Sequence, residues 1–138
     1  MEHSTSTEAN SAENAVAFPP VDIVVVAHNP DEWFGDVLNS FAIQDYPDFN
    51  VVVLTTGKES QMRHFVHEYL PQAQVHAVES DHGYGRNLNS VFGLDTNSAF
   101  FLFCHHDVAL APDALRLMVE ESLRSNAGIV GPKIVNWD

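Results

Sequence analysis

Apolar runs of strand length alternate along this chain with apolar residues spaced as on one face of a helix. Five runs are rich in β-branched or aromatic residues, which is typical of strands covered on both faces. They span residues 21–27, 50–55, 75–78, 100–104 and 129–135. The first is almost continuously β-branched and is predicted to be the central strand, whereas the last is expected to begin a fifth strand.

Four helices are predicted between these strands. Pro30 and Asp31 suit the start of the first, Pro71 closes the second, a turn at Gly83 leads into the third, and the fourth covers residues 112–125. The residues expected to face inward, in chain order, are Trp33, Phe34, Val37, Leu38, Phe41, Ala42, Met62, Phe65, Val66, Tyr69, Leu70, Leu88, Val91, Phe92, Leu115, Met118, Val119 and Leu123. This alternation predicts βαβ crossovers and a mostly parallel, doubly wound α/β sheet with helices on both faces.

Length and composition allow one folded domain. The chain has 138 residues, of which 45% are hydrophobic, and this is enough for one core but not for two. Residues 1–18 are rich in Ser, Thr, Glu, Asn and Ala without apolar periodicity, and they are predicted to form a disordered leader. Residues 19–138 are expected to form one domain that stops soon after the fifth strand begins. We therefore expect the chain to be a fragment of a longer protein.

The charge balance restricts the partners. Six Lys and Arg residues face 19 Asp and Glu residues, which gives a formal net charge of −13. Nucleic acid and anionic membrane surfaces both need a basic footprint, so neither is expected as a partner. The apolar runs are far shorter than the ~18 residues of a membrane helix, so no membrane span is predicted in this chain. A bound phosphate would need a metal ion or backbone amides to balance its charge.

Cys104 is the single cysteine, and it lies within an apolar run. A single cysteine excludes an intrachain disulfide and fits a reducing compartment, and the polar, acidic N-terminus does not resemble a signal peptide. We therefore expect a cytoplasmic location for this chain. This expectation is compatible with membrane association of a longer parent protein. Cys104 itself is predicted to be a core residue rather than a nucleophile.

Three consecutive metal-capable side chains follow the aromatic run at residues 100–104. His105, His106 and Asp107 stand where the strand is predicted to end, and ligands of open α/β sheets gather at the carboxyl ends of strands. Two imidazoles and a carboxylate offer nitrogen and oxygen donors to a divalent cation and its phosphate ligands. The structural alternative is that the two His side chains face solvent and that Asp107 caps a turn.

Five short motifs follow one another along residues 21–133. In chain order they are Ala27-His28-Asn29, Ser40-x-x-x-Gln44-x-Tyr46-Pro47, Thr55-Thr56-Gly57, Gly83-Tyr84-Gly85-Arg86-Asn87-x-Asn89, and His105-His106-Asp107 followed by Pro112-Asp113-Ala114-Leu115. In this order and spacing they resemble the N-terminal, nucleotide-binding half of a family 2 glycosyltransferase with the GT-A fold. The last motif resembles the Asp-x-Asp motif of that family and the Pro-Asp-Ala-Leu that follows it.

The resemblance implies a donor site for a nucleoside-diphosphate sugar and a divalent metal, Mn²⁺ or Mg²⁺. It implies inverting sugar transfer to a glycan or lipid-linked acceptor, with the catalytic base outside this chain and therefore unknown. The residues that it implies for nucleotide-sugar binding are Ala27, His28, Asn29, Thr56, Gly57, Gly85, Arg86, Asn89, His105 and His106. The residues that it implies for metal binding are Asp107 and His106. A metal that bridges the diphosphate would stabilise the charge of the leaving group as the glycosidic bond breaks.

Two motifs depart from the family pattern. Thr55 and Thr56 stand where the family usually has an acidic residue that contacts the base. His105 and His106 occupy the first two positions of the Asp-x-Asp motif, so only Asp107 carries over as an acidic ligand. Imidazole suits borderline cations, which favours Mn²⁺ over Mg²⁺. His105 is expected to point aside, because neighbours on an extended segment alternate faces.

Other functions compete with this interpretation. A catalytically inactive glycosyltransferase-like binding module would explain the same departures. A nucleotidyltransferase would need a Gly-rich, basic loop directly after the first strand, and residues 27–30 are not such a loop. A receiver-like domain would need an acidic pocket at the end of the first strand, but Asp22 lies at its beginning. Arg86 could equally pair with a surface carboxylate, and Asn89 could face solvent.

Overall fold

One parallel sheet forms the centre of the computed structural model, which describes residues 18–79, 83–94 and 97–136. Its strands are β1 (Val21–Ala27), β2 (Phe49–Thr55), β3 (Gln74–Ala77) and β4 (Phe100–His105), in the order β3-β2-β1-β4. The helices are α1 (Glu32–Ala42), α2 (Glu59–Tyr69), α3 (Tyr84–Asn89), which a 3₁₀ turn (Ser90–Gly93) extends, and α4 (Ala114–Ser125). The predicted parallel α/β sheet is confirmed. Of the predicted leader, only Phe18 lies within the described residues.

β1 lies between two parallel neighbours, as its β-branched sequence predicts. It pairs with β2 from Val21 opposite Phe49 to Ala27 opposite Thr55, and with β4 from Val21 opposite Phe100 to Val26 opposite His105. All but one of its seven residues are buried. Because the three strands run in one direction, their carboxyl ends lie at the same edge of the sheet.

Helices cover both faces of the sheet. Alternate residues of β1 point to opposite faces, so Ile23 and Val25 belong to a large apolar cluster and Val24 to a smaller one. The large cluster includes Phe34 of α1 and residues of α2 and α4, whereas the smaller one includes Val91 of the 3₁₀ turn. The doubly wound arrangement therefore rests on the period-two pattern of the strands.

Helix α1 begins where the sequence predicts. Asp31 caps it, since the carboxylate oxygen of Asp31 accepts a hydrogen bond of 2.8 Å from the backbone N–H of Phe34. The expectation that Trp33 faces the core is wrong, because 60% of its surface is exposed. Four residues of α1, Phe34, Val37, Leu38 and Phe41, already fill the inward face of the helix. Trp33 and Ala42 therefore lie beside this apolar stripe.

The expected fifth strand does not form. Residues 129–135 make no strand pairing, and Ile129 is 95% exposed. Residues 128–132 instead run beside residues 99–103 and line a groove with them. A β-branched run becomes a strand only when a neighbouring strand supplies hydrogen bonds, and Pro132 has no N–H to donate.

Three further burial expectations are wrong. β4 is not covered on both faces, because the side chain of Phe103 is 43% exposed. Phe92 and Leu123, both expected to face inward, are also exposed. Phe92 packs edge-on against Phe101 with ring centroids 5.2 Å apart, so its apolar contacts lie on the face of the sheet that the 3₁₀ turn covers only in part.

We predict that Phe34→Ala and Trp33→Ala differ strongly in stability, although the two residues are adjacent aromatic residues of α1. Phe34 is fully buried, so its truncation should cost about 3–5 kcal/mol in the free energy of unfolding. Trp33 is mostly exposed, and its truncation should cost about 1 kcal/mol or less. Urea unfolding monitored by circular dichroism measures both values. Equal losses would contradict the assignment of the inward face.

Candidate functional site

Residues from three neighbouring strands and from one turn meet at the carboxyl edge of the sheet. In the strand register, Ala27 lies opposite Thr55, and Val26 lies opposite His105. The residues that follow these strands therefore lie side by side, in the position where open α/β sheets bind ligands. Tyr84, the first residue of α3, contacts the same edge of the sheet.

His28, Thr56 and Gly57 form the part of the edge after β1 and β2. The Nδ1 atom of His28 lies 2.8 Å from the hydroxyl of Thr56, and the backbone N–H of Thr56 donates to the carbonyl of Ala27 over 3.3 Å. The N–H of Gly57 donates to the hydroxyl of Thr55 over 3.1 Å. These contacts bring Ala27, His28, Thr56 and Gly57 of the predicted site together.

Gly57 is required by a close approach of two backbone segments. A Cβ atom at this position would lie 2.1 Å from the carbonyl oxygen of His28. Backbone atoms cannot move away as a flexible side chain can, so only glycine allows the ends of β1 and β2 to come this close. Gly85 is different, since a Cβ atom there would meet nothing within 4 Å.

The end of β4 is held by Tyr84. The rings of Tyr84 and His105 stack with centroids 4.5 Å apart and an interplanar angle of 8°. The hydroxyl of Tyr84 donates a hydrogen bond of 3.2 Å to the carbonyl of Cys104. Burial raises the pKa of Tyr84, with a smaller contribution from the nearby Cys104, so the phenol keeps its proton and remains a donor.

His106 and Asp107 lie in the turn directly after β4. The backbone N–H of Val108 donates to the carbonyl of His105 over 3.3 Å, and this bond closes the turn. His106 is half-buried and Asp107 is exposed. Within residues 18–79, 83–94 and 97–136, no three His, Cys, Asp or Glu side chains are grouped so that they could hold a metal ion.

The other predicted site residues lie on or beside these elements but take no part in the contacts described above. Asn29 is exposed after β1, and Gly85, Arg86 and Asn89 are exposed on α3. No described residue forms an ion pair or hydrogen bond with the guanidinium of Arg86. Arg86 is one of six Lys and Arg residues on a chain with a net charge of −13.

Sequence reasoning missed the structural role of Ser40 and Gln44. Gln44 is buried, and its amide donates to the carbonyl of Ala111 over 2.8 Å and accepts from the N–H of Leu115 over 3.0 Å. The hydroxyl of Ser40 accepts from the N–H of Leu110 over 3.0 Å. These three hydrogen bonds form a clamp that fixes the segment following Asp107. Two polar residues four positions apart, Ser40 on the inward face of α1 and Gln44 just after the end of that helix, were the available signal.

Cys104 takes no part in the chemistry of the site. Its thiol is buried, and burial raises its pKa from 9.0 to about 12. A thiol of this kind remains protonated and unreactive near neutral pH. The prediction of a core cysteine is therefore confirmed.

We predict that Gly57→Ala destabilises the protein, whereas Gly85→Ala does not. The new methyl group at residue 57 must push two backbone segments apart, which should cost at least about 1 kcal/mol and lower the melting temperature. At residue 85 there is open space within a helix, where alanine is favoured over glycine by up to about 1 kcal/mol. Differential scanning fluorimetry of both variants checks this, and a lower melting temperature for Gly85→Ala alone would refute it.

We also predict that Gln44→Ala lowers the free energy of unfolding by about 1 to 3 kcal/mol, because it leaves the buried N–H of Leu115 without its partner and removes one of the two hydrogen bonds to the carbonyl of Ala111. The matched control is Gln61→Ala on the exposed surface of α2, which should change the free energy of unfolding by about 0.5 kcal/mol or less. Chemical denaturation measures both. Equal stability of the two variants would contradict the clamp.

Comparison with known proteins relates this fold to enzymes that use activated sugars. A family model described as "Glycosyltransferase like family 2" matches residues 19–138. A comparison with curated protein sequences found no match.

Among the described residues, no helix has the length and apolar character that crossing a membrane requires.

Several solved structures share the fold. S. aureus TarS 1-349 in complex with UDP-GlcNAc superposes with a TM-score of 0.64 at 20% identity, over 85% of this chain and 37% of that chain. S. aureus TarS gives 0.65 at 21% identity, over 78% and 20%. The mannosyltransferase PcManGT from Pyrobaculum calidifontis, in complex with GDP-Man and Mn²⁺, gives 0.63 at 24% identity, over 76% and 32%. The GT-A type of α/β fold is confirmed, and the chain spans between 20% and 37% of the length of these proteins.

Proposed function

This chain belongs to the glycosyltransferase-like family 2, and from that membership we propose that it binds a nucleoside-diphosphate sugar as the donor part of a metal-dependent glycosyltransferase. The observation that carries the proposal is the meeting of His28, Thr56 and His105 at the carboxyl edge of three parallel strands. The solved relatives contain UDP-GlcNAc or GDP-Man, which supports the same class of donor.

We assign the roles at the edge from the chemistry of each side chain. The hydrogen-bonded pair of His28 and Thr56 faces the nucleoside, where polar edges of base and ribose need donors and acceptors. Ala27, Asn29, Gly57, Gly85 and Asn89 complete the surface around the nucleotide. Arg86 provides the positive charge for a phosphate, because its planar guanidinium can form two parallel hydrogen bonds.

Asp107 is the proposed metal ligand, with His106 as a second donor. Mg²⁺ and Mn²⁺ bound to a diphosphate need only one or two protein ligands, which matches the small donor set at this turn. Mn²⁺ in the mannosyltransferase relative supports this proposal. When bound, the cation supplies positive charge to the departing diphosphate. The side chains of this turn hold and orient that end of the donor.

The remaining parts of the reaction are proposed from family membership. We propose inverting transfer to a glycan or lipid-linked acceptor in the cytoplasm, with residues 19–138 as the donor-binding part of the domain. A carboxylate outside this chain would deprotonate the acceptor hydroxyl. By itself the chain would bind the donor weakly at most and would not transfer the sugar.

A second candidate function is a glycosyltransferase-like module that binds a nucleotide sugar but has lost catalysis. The observation in its favour is that His105 occupies the first acidic position of the Asp-x-Asp motif of the family, at the turn proposed to bind the metal. Release of nucleotide from a sugar donor by the natural full-length polypeptide would support the transferase. A donor that is bound by this polypeptide and remains intact would support the binding module.

We predict that titration of UDP, GDP or dTDP into the protein gives binding of one nucleotide that depends on Mn²⁺. Asp107→Asn should weaken this binding about tenfold or more, because it removes the charged ligand of the cation. Isothermal titration calorimetry with Mn²⁺ or with EDTA measures the dissociation constants.

The matched control is Asp36→Asn, which removes the same charge from the exposed surface of α1. This variant should bind nucleotide as tightly as the wild type. The proposal fails if the wild type binds none of the nucleotides with Mn²⁺. Equal weakening by the two variants would mean that Asp107 acts only through net charge and would refute its role as a ligand.

A further inference from the structure

We propose that Tyr84 is a positioning residue of the donor site, which holds the end of β4 so that His106 and Asp107 keep their place. This inference rests on the proposed function and adds to it a residue outside the predicted donor and metal ligands. Tyr84 is not expected to touch the nucleotide or the cation. It acts through His105 and the backbone of Cys104.

The first step is that Tyr84 holds the strand end at two points. Its ring stacks on the His105 ring, and its hydroxyl donates to the carbonyl of Cys104. The two contacts involve consecutive residues of β4, so they restrict both rotation of the imidazole and tilting of the intervening peptide. A parallel offset pair of rings is also a favourable arrangement in itself.

The second step connects this contact to the proposed metal-binding turn. The carbonyl of His105 accepts a hydrogen bond from the N–H of Val108, which closes the turn that carries His106 and Asp107. His105 is therefore held by its ring on one side and closes the turn with its backbone on the other. A strand end that can tilt would move both proposed ligands, whereas a fixed one keeps them ready for the cation.

The third step explains how Tyr84 reaches this position. Gly83 adopts a φ of +77°, a conformation that favours glycine, and α3 begins at the next residue. Tyr84 is thus the first residue of α3, and its ring stacks on His105 of β4. The proposed positioning role depends on the aromatic ring of Tyr84. A glycine turn that binds phosphate would not require an aromatic residue at this position.

A purely structural role for Tyr84 is less well supported. Tyr84 is 37% exposed and belongs to neither apolar cluster of the sheet. The segment that contains it has a second anchor, because Phe92 packs against Phe101 and Phe103 at centroid distances of 5.2 and 6.4 Å. Phe92 therefore offers a matched control, an exposed aromatic residue of the same segment that contacts β4 away from the turn.

The test compares Tyr84→Ala, Tyr84→Phe and Phe92→Ala by calorimetric titration with UDP and GDP, in Mn²⁺ and in EDTA. Tyr84→Ala should weaken Mn²⁺-dependent binding roughly three- to tenfold, from the typical strength of an aromatic pair. It should change binding in EDTA less than binding in Mn²⁺, because the turn closed by His105 carries both proposed metal ligands. Tyr84→Phe keeps the stack and should restore most of the affinity, whereas Phe92→Ala should bind like the wild type.

A second measurement follows the stack itself. The ring protons of His105, assigned through their loss in His105→Gln, should be shifted by the Tyr84 ring in the wild type and in Tyr84→Phe. They should return to ordinary values in Tyr84→Ala. Tyr84→Leu, which keeps apolar bulk without an aromatic ring, should behave like Tyr84→Ala and serves in its place if that variant does not fold.

Each outcome separates this inference from the proposed function. Loss of the Mn²⁺-dependent part of the affinity in Tyr84→Ala, with rescue by Tyr84→Phe, supports it. Equal binding by Tyr84→Ala and the wild type overturns it and leaves the proposed function in place. The same holds if Tyr84→Ala and Phe92→Ala lose affinity equally. A wild type that binds neither nucleotide overturns the proposed function and this inference together.

Discussion

Parallel pairing of β1 with both of its neighbours is the constraint on which the site depends. Because β2 and β4 run in the same direction as β1, the residues after all three strands must meet at one edge. His28, Thr56 and His105 are far apart in sequence but neighbours in this register. Without a central β1 that is buried on both faces, these side chains would not share a surface.

Polar contacts then fix the geometry that the sheet provides. Gln44 and Ser40 hold the segment after Asp107 from the side of α1, and Tyr84 holds the end of β4 from the side of α3. Among the described residues, no buried side-chain nitrogen or oxygen lacks a hydrogen-bond partner. A shift of the turn would leave some of these groups unpaired in the interior, which is costly. The turn is therefore held from two independent elements.

The elements were predictable where local patterns and tertiary burial agree. The bounds of β1 and the cap of α1 at Asp31 followed from β-branched composition and from helix-start chemistry. Burial was less predictable for Trp33, Phe92 and Phe103, because an apolar residue beside a filled stripe or on a partly covered face of the sheet stays exposed. The run at residues 129–135 has strand composition, but no neighbouring strand pairs with it.

The sequence by itself determined the parallel α/β class, the central strand, the motifs that resemble the glycosyltransferase family, and the strand-end position of His105, His106 and Asp107. These follow from periodicity and local chemistry, which act over a few residues. Only the tertiary structure decided that Thr56 bonds His28, that Tyr84 stacks on His105, and that Gln44 reaches Ala111. Such partners lie 20 or more residues apart. They are chosen by strand register and helix packing, which no local pattern contains.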